Sequence, residues 1–454
     1  PAEIFKAYDI RGIVDRNLTV DIVAAIGRAL GTLARERGCG AIVIGRDGRL
    51  SGPAFARALG NGIRAAGADV VDIGQVTTPM TYFAAEHLGT HCCTMVTGSH
   101  NPPDYNGLKM VIAGGTLSGD EIVALRERIE AGRLASGQGA YRTADITQAY
   151  IERIAGDVRI ARPMRIAVDC GNGVAGAYAP ALYRRMGCDV VELFCEVDGH
   201  FPNHHPDPSQ PANLADLVRR LAQGDCEIGL AFDGDGDRLG VVTRGGTVIY
   251  PDRQLMLFAA DVLARVPGAT VIYDVKSTRN LKPWIAARHG VPLMWKTGHS
   301  LIKAKMKATG AALAGEMSGH TFFGERWYGF DDGLYAGARL LEILSRDADP
   351  GAVLERLPDA LSTPELNIAC SEGEQHRLVA QLQRSAHFAT ASEVVTIDGL
   401  RVEYADGFGL ARASNTTPVI VLRFEADDAA ALARIQREFR EVLEPAMPGV
   451  VLPF

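Results

Sequence analysis

Apolar residues recur at helical spacing over residues 21–37, where Ile22, Ala25, Ile26, Leu30 and Leu33 predict one buried helix face. They then run unbroken through Ala41-Ile42-Val43-Ile44, the pattern of a strand covered on both sides. That alternation is the start of a repeat. Opening strands are predicted over 41–44, 165–168 and 271–273. Each ends in a polar loop: Gly45-Arg46-Asp47, Asp169-Cys170-Gly171-Asn172-Gly173 and Asp274-Val275-Lys276-Ser277-Thr278. A helix follows each loop and stops at a glycine, Gly67, Gly187 or Gly290, with Gly67 read as a C-cap. Second strands are expected over 69–73, 189–193 and 291–295. In the first copy a helix over 79–88 leads to the third strand. Third strands end in the loops of most unusual composition, Thr97-Gly98-Ser99-His100, Asp233-Gly234-Asp235-Gly236-Asp237-Arg238 and Gly315-Glu316-Met317-Ser318-Gly319-His320.

Strands alternating with helices imply largely parallel, three-layer α/β units. Ligands of such units bind beyond the carboxyl ends of the strands, so three copies facing one another would bring these loops to one cleft. The small, polar stretch 135–140 closes the first copy and a helix over 146–154 leads into the second. Gly245-Gly246 predicts a hairpin turn, and a helix over 251–266 opens the third copy. After residue 357 the pattern changes to strand-like runs at 393–397 and 419–422 and a final helix at 429–442, a separate α+β unit. The expected division is 1–142, 143–248, 249–358 and 359–454: three similar mixed α/β domains and a different C-terminal one around a central cleft.

Composition narrows the function. A chain of 454 residues is too long for one core, and 47% hydrophobic with 22% charged residues is ordinary for a water-soluble globular protein. A net charge of −7 gives no global basic field for nucleic acid or an anionic membrane, so an anionic ligand needs a local cluster of Arg and Lys. No signal-peptide pattern or apolar run of membrane-spanning length is seen, which leads us to expect a cytoplasmic protein. Pro1 suggests an initiator Met removed or left out of the numbering. The eight cysteines form no C-x-x-C pair. Free buried thiols in a reducing compartment fit them better than zinc ligands or disulfides.

The loops carry the chemistry. Ser99 stands at a strand-to-loop junction, with Gly98 removing bulk beside it and Asp104-Tyr105-Asn106-Gly107 as a turn beyond. Its hydroxyl suits a nucleophile or a phosphate carrier, although a lone Gly-Ser is far more often a plain polar turn. Asp233, Asp235 and Asp237 at alternate positions repel one another without a cation, and hard oxygen donors favour Mg²⁺ or Ca²⁺ over zinc. The EF-hand pattern fails, because Arg238 stands where it needs Gly and Arg244 where it needs Glu. Mg²⁺ beside a phosphate is the better reading. Glu316 and Ser318, two apart, could face one ligand and suit sugar hydroxyls. His299 is a candidate proton carrier, and Lys109, Lys276, Lys296 and Lys303 lie near predicted strand ends or loops. Arg412-Ala413-Ser414-Asn415-Thr416-Thr417-Pro418 gathers a cation with hydroxyl and amide donors, a set that suits a phosphate dianion. The stretch Phe5 to Gly12 reads more as a binding loop than a core strand. Gly45 to Gly52 reads as a phosphate-facing loop, with Ser51 alternatively an N-cap.

With these loops in place the chain resembles the α-D-phosphohexomutases, most closely the bacterial phosphomannomutase/phosphoglucomutase branch. KAYDIRG (Lys6 to Gly12), TGSHNP (Thr97 to Pro102), DGDGDR (Asp233 to Arg238), GEMSGH (Gly315 to His320) and RASNTTP (Arg412 to Pro418) occur in the family's order along nearly the whole chain. The resemblance implies an isomerase that interconverts hexose 1-phosphate and hexose 6-phosphate of glucose and mannose through a 1,6-bisphosphohexose. It implies that Ser99 carries the phosphoryl group as phosphoserine, that Asp233, Asp235 and Asp237 hold Mg²⁺ with an oxygen from Ser99, and that glucose 1,6-bisphosphate is an activator. Arg238 resembles the residue that steadies the transferring group, and Glu316 and Ser318 those that hold sugar hydroxyls. Arg412, Ser414, Asn415 and Thr416 resemble the loop that grips the substrate's phosphate. Tyr8, Arg11, His100, Lys109, Lys276 and His299 match cleft positions, with Lys109 and His299 the proton-transfer candidates. Hexose phosphates are then the partners of a monomer that binds no nucleic acid and no membrane.

Competing readings are weaker. A serine hydrolase would pair Ser99 with His100, but adjacent side chains in an extended segment point apart and the G-x-S-x-G elbow is missing. A metal-dependent phosphatase would use the same groups and release phosphate. A non-catalytic sugar-phosphate binder would leave Ser99 unphosphorylated. Within the family a phosphoglucosamine mutase is the runner-up, and Met317 leans against it.

Overall fold

Strand Ala41–Arg46 lies between Asp69–Gln75 and Cys93–Val96, all three parallel. The computed structural model, which describes all 454 residues, repeats this order twice. Arg165–Asp169 sits between Asp189–Leu193 and Ile228–Phe232, and Thr270–Asp274 between Val291–Trp295 and Leu313–Gly315. Helical crossovers make such parallel pairing possible and bury the strands on both faces.

Each sheet then departs from the largely parallel expectation. A fourth strand returns antiparallel to the third: Tyr105–Ile112, Leu239–Thr243 and Thr321–Phe323. The sheets are therefore mixed. The return strand was hidden because it is almost wholly buried and shows no clean polar alternation. The three chemically unusual loops are the tips of these hairpins, at the carboxyl ends of the third strands. In the first sheet Ile10–Ile13 adds antiparallel to Tyr105–Ile112. The opening stretch is thus a loop only as far as Asp9, and Ile10, Arg11 and Gly12 are edge strand.

Two local expectations also change. Gly67 and Gly187 take φ of 88° and 99° just past their helices, as C-cap glycines do. The third helix, Leu281–Ala286, ends well before Gly290. Gly290 instead packs closely, since a Cβ there would lie 2.6 Å from a methyl group of Leu263, which would have to move. Ser51 occupies the N-cap position of Gly52–Ala65 without capping it; its hydroxyl accepts from Asn106 Nδ2 at 2.8 Å.

The first three units share one continuous apolar core, in which Phe83, Tyr150, Tyr183, Phe232, Phe258 and Tyr335 are buried. The tail is an antiparallel sheet built on Val419–Ala426 and Gly407–Ala413, packed by helices Glu374–Ser385 and Ala429–Ala446, with its own core. It meets the third unit through buried polar groups. Arg401 donates to the carbonyls of Val275 and Ser277 at 2.7 and 2.6 Å, and Thr278 donates to Glu425 at 2.8 Å. Six cysteines are buried and all eight are free thiols. No helix is long and apolar enough to cross a membrane.

Candidate active site

Ser99 is held by the backbone around it. Its φ of +50° is left-handed, and its amide donates to Thr97 Oγ1 at 2.7 Å. Beneath it lies Arg49, whose side chain is fully buried. Arg49 donates to the carbonyls of Ser99, Asn101 and Tyr105 at 2.8, 2.6 and 2.8 Å, and also to that of Pro102. Asp47 pairs with Arg49 at 3.2 Å and accepts from Thr97 Oγ1 at 2.7 Å. The Gly45–Gly52 loop therefore does not face an anion with Arg49. That guanidinium is consumed in shaping the Ser99 loop. Arg11 adds to the frame from the edge strand, donating to Gly98 O at 3.0 Å and to the Asn101 side chain.

The turn at Ser99 also corrects the expectation that Ser99 and His100 point apart. With Ser99 left-handed rather than extended, Ser99 Oγ lies 3.2 Å from His100 Nδ1. Burial and the cations Arg238, Arg11 and Lys109 hold the His100 pKa well below the usual imidazole value. The ring is neutral near pH 7.

Across from Ser99 the acidic loop approaches to contact. Ser99 Oγ donates to Asp233 Oδ2 at 3.0 Å. Gly234 must be glycine, because a Cβ there would stand 2.3 Å from the Ser99 carbonyl oxygen. Asp233, Asp235 and Asp237 are fully buried, with carboxylate oxygens within 4.8 Å of one another. Lys109 Nζ bridges Asp235, at 2.7 Å, and Asp237. Thr78 donates its amide to Asp235 O at 2.9 Å and its hydroxyl to the Asp235 carboxylate.

Charge is shared unevenly among the three. Burial raises all of them, but Lys109 holds Asp235 and Asp237 below the ordinary carboxylate range. Asp233 is pushed well above it by burial and by its two acidic neighbours. The nearest cation to Asp233 is Arg238, at 3.8 Å. Asp235 Oδ1 is buried without a hydrogen-bond partner. An all-oxygen donor set with an orphaned oxygen, and with Asp233 pushed up by its two acidic neighbours, fits a hard divalent cation.

The third loop closes onto the second. Arg238 and His320 form a backbone bridge, and Arg238 Nε lies 3.4 Å from His320 Nε2. His320 reaches Asp237 at 3.3 Å and Glu316 at 3.2 Å, and Ser318 Oγ lies 2.9 Å from its Nδ1. Burial opposes its charge, but Asp237 and Glu316 outweigh that and raise its pKa to about 9. His299 begins helix His299–Thr309 with its ring centroid 5.6 Å from that of His320. Its pKa falls well below the usual value through burial, then Lys303 and Lys109. The site thus sets a neutral imidazole beside a charged one. Glu316 also accepts from Gly298 N at 2.5 Å, which ties the carboxylate of the third loop to the seat of His299.

Arg412 is buried and pairs with Asp398 at 3.2 Å. Ser414 lies under the loop, with Thr417 Oγ1 at 3.0 Å and Thr416 Oγ1 at 3.3 Å. Asn415 donates to the Tyr8 hydroxyl, and that hydroxyl donates to Thr297 O at 2.8 Å. Tyr8 so joins the first, third and fourth units. Lys276 is buried and pairs with Glu365 at 2.6 Å. Lys303 pairs with Asp331 at 2.8 Å, and Lys296 is exposed and joins nothing. Sequence reasoning missed Thr78, Asp331 and Asp398, and it placed Asp47 and Arg49 in a phosphate-facing loop rather than beneath Ser99. Lone acids and threonines carry no local signal, and an Arg after glycine looks the same whether it faces an anion or a carbonyl.

Comparison with known proteins agrees with this layout. Four models of one family match in order: phosphoglucomutase/phosphomannomutase α/β/α domain I over residues 2–136, domain II over 148–246, domain III over 250–361 and the C-terminal domain over 365–442. The chain is 58% identical to a phosphoglucomutase of Neisseria gonorrhoeae, with 99% of this chain and 98% of that one covered. It is 54% identical to a phosphomannomutase/phosphoglucomutase of Pseudomonas aeruginosa, covering 100% and 98%. A crystal structure of a phosphoglucomutase/phosphomannomutase family protein from Burkholderia thailandensis superposes with a TM-score of 0.96 at 59% identity, with both chains fully covered.

Proposed function

The chain belongs to the phosphoglucomutase/phosphomannomutase family, and from that premise we propose that it moves a phosphoryl group between the 1- and 6-hydroxyls of glucose and mannose phosphates by way of phosphoserine at Ser99. The activity class is isomerisation of hexose phosphates. One observation carries the reading: the Ser99 hydroxyl lies 3.0 Å from Asp233 inside a buried trio of carboxylates that needs a cation.

Phosphoryl transfer asks for positioning and charge neutralisation more than covalent help. Asp233, Asp235 and Asp237, with an oxygen of Ser99, would hold Mg²⁺, which when bound neutralises charge on the transferring group. Arg238 lines the same space and steadies that group. Glu316 and Ser318 hold sugar hydroxyls, with Lys276, His100 and Arg11 completing the cleft. Arg412, Ser414, Asn415 and Thr416 grip the phosphate that does not react. In the forward half, the bond from phosphorus to Ser99 Oγ breaks as the free sugar hydroxyl attacks, and its proton passes to a neighbouring base. His299, neutral and buried, is the candidate for that proton; Lys109, the other proton-transfer candidate, is held as an ammonium by Asp235 and Asp237 and can only give a proton, not take one. The resulting 1,6-bisphosphohexose turns over, and its other phosphoryl group returns to Ser99. A donor with two phosphates, glucose 1,6-bisphosphate, reloads a dephosphorylated Ser99.

The proposal extends to a cytoplasmic monomer acting on free hexose phosphates without nucleic acid or membrane, divided near residues 142, 248 and 358. A coupled assay on glucose 1-phosphate and mannose 1-phosphate tests the chemistry. Hexose 6-phosphate should appear with no inorganic phosphate released. Release matching substrate loss would make the protein a phosphatase instead.

A further inference from the structure

Asp398 has two partners in different domains. Its Oδ2 accepts from Arg412 Nε at 3.2 Å and from the backbone amide of Thr297 at 2.9 Å. One oxygen thus joins the cation of the C-terminal loop to the residue two before His299. The placement is built rather than incidental. Gln383 on helix Glu374–Ser385 donates to Gly399 O at 2.6 Å and to Thr396 O at 3.2 Å, which pins the turn that carries Asp398. Gly399, at φ +84°, allows that turn to touch Arg412, since a Cβ there would be 2.5 Å from Arg412 Cβ. The carbonyl of Thr297 is held by Tyr8, and the next amide, of Gly298, by Glu316. The backbone leading into His299 therefore has three anchors, and only Asp398 comes from the domain that holds the phosphate loop.

We propose that Asp398 is a positioning residue that couples the phosphate grip of Arg412 to the seat of His299. The proposal rests on the reading of Arg412 as a phosphate ligand and His299 as a cleft residue. Asp398 orients the Arg412 guanidinium through Nε, leaving Nη1 without a protein partner and free to meet an anion. Through the Thr297 amide the same carboxylate sets where the helix carrying His299 begins. A substrate phosphate that engages Arg412 then acts on a residue already tied to the sugar-facing loop.

Steady-state kinetics with glucose 1-phosphate on Asp398→Ala, Asp398→Asn, Arg412→Ala and the Asp398→Ala/Arg412→Ala double variant test this. The asparagine oxygen can still accept from Thr297 N but brings no charge to Arg412. Asp398→Asn should raise KM severalfold and keep kcat within about threefold. Asp398→Ala should raise KM and also lower kcat about tenfold, the effect of one buried amide left without its acceptor. The double variant should fall below Arg412→Ala alone in kcat, but its loss of kcat/KM should be smaller than the product of the two single losses, because part of each passes through the shared carboxylate. If Asp398→Ala leaves kcat unchanged, or the double variant matches Arg412→Ala, Asp398 serves Arg412 only, and if the two single losses simply multiply, the grip and the seat are independent; each of these results overturns the coupling. Melting temperatures of all four show whether a loss is one of folding, and Asp398→Asn keeps the test available if the alanine variant does not fold. If Arg412→Ala itself leaves KM and kcat/KM unchanged, the phosphate-grip reading fails, a result distinct from failure of the coupling.

Discussion

A Cβ on Gly98 would stand 2.4 Å from the guanidinium carbon of Arg49. The glycine beside Ser99 is there to admit a buried arginine, and that arginine shapes the loop from below. Arg49→Met removes the donor to four carbonyls and strips Asp47 of its buried partner. Breaking a buried pair of this kind costs about 3–5 kcal/mol. Urea unfolding should show that loss, and kcat should fall with it. Gly98→Ala should displace the same guanidinium and lower kcat at least tenfold. A Gly98→Ala enzyme with full activity would show that Arg49 does not shape the loop.

Asp235→Asn should cut turnover a hundredfold or more while moving the melting temperature little. Asp237 remains to pair with Lys109, and an asparagine oxygen can still accept from the Thr78 hydroxyl, so the scaffold survives. On the proposed mechanism, the lost charge is one that would hold a cation against the transferring group. Activity of the native protein should vanish with a chelator and return with Mg²⁺. Full activity of Asp235→Asn at ordinary Mg²⁺ would reduce the acidic loop to a structural turn.

Arg412→Ala should lower kcat/KM by about ten- to a hundredfold, since a charge-assisted contact to phosphate is worth roughly 1.5–3 kcal/mol and about 1.4 kcal/mol is tenfold. Reloading of Ser99 from glucose 1,6-bisphosphate should slow as well, because that reagent needs the same grip. Kinetics on glucose 1-phosphate and mannose 1-phosphate check both.

Stability should depend on pH through Asp332. Burial, reinforced by Asp331, raises this carboxyl from 3.8 to about 7. Tyr150 donates to both its oxygens at 2.9 Å, and it caps helix Gly333–Leu344 by accepting from Tyr335 N at 2.9 Å. The folded protein keeps the proton that the unfolded chain releases near 4. This contribution is therefore complete below about pH 4 and is lost as pH rises through about 7. Asp332→Asn keeps an oxygen to cap the helix and cannot ionise. Its melting temperature relative to the native protein should be higher at pH 8 than at pH 5. An equal difference at both would show that Asp332 does not titrate in this range.

What was legible in the chain follows from what is local. Runs such as Ala41 to Ile44 and Val291 to Trp295 are apolar and bounded by polar loops, so the parallel strands and their threefold repeat could be read directly. Leu239–Thr243 could not, because it is buried along its whole length and follows its partner through a loop already spoken for by the acidic motif. The clustered motifs around Ser99, Asp233 and Glu316 stand together in space as expected. The contact between Ser99 and His100 was missed because a left-handed φ at a serine leaves no mark in the residue itself. Asp398 is a single acid and Asp331 half of an adjacent acidic pair, both in unremarkable surroundings, and only the approach of distant segments gives them partners.

The central claim is that Ser99 carries the phosphoryl group that is exchanged. The most direct measurement is peptide-resolved mass spectrometry of the active protein, before and after brief exposure to excess glucose 6-phosphate or mannose 6-phosphate. The account predicts a gain of about 80 Da, one phosphoryl group, on the peptide containing Ser99 and nowhere else. That gain should diminish as bisphosphohexose appears in solution, and Ser99→Ala should carry no label and turn over at least a thousandfold more slowly. A fully active protein whose Ser99 is never modified would contradict it.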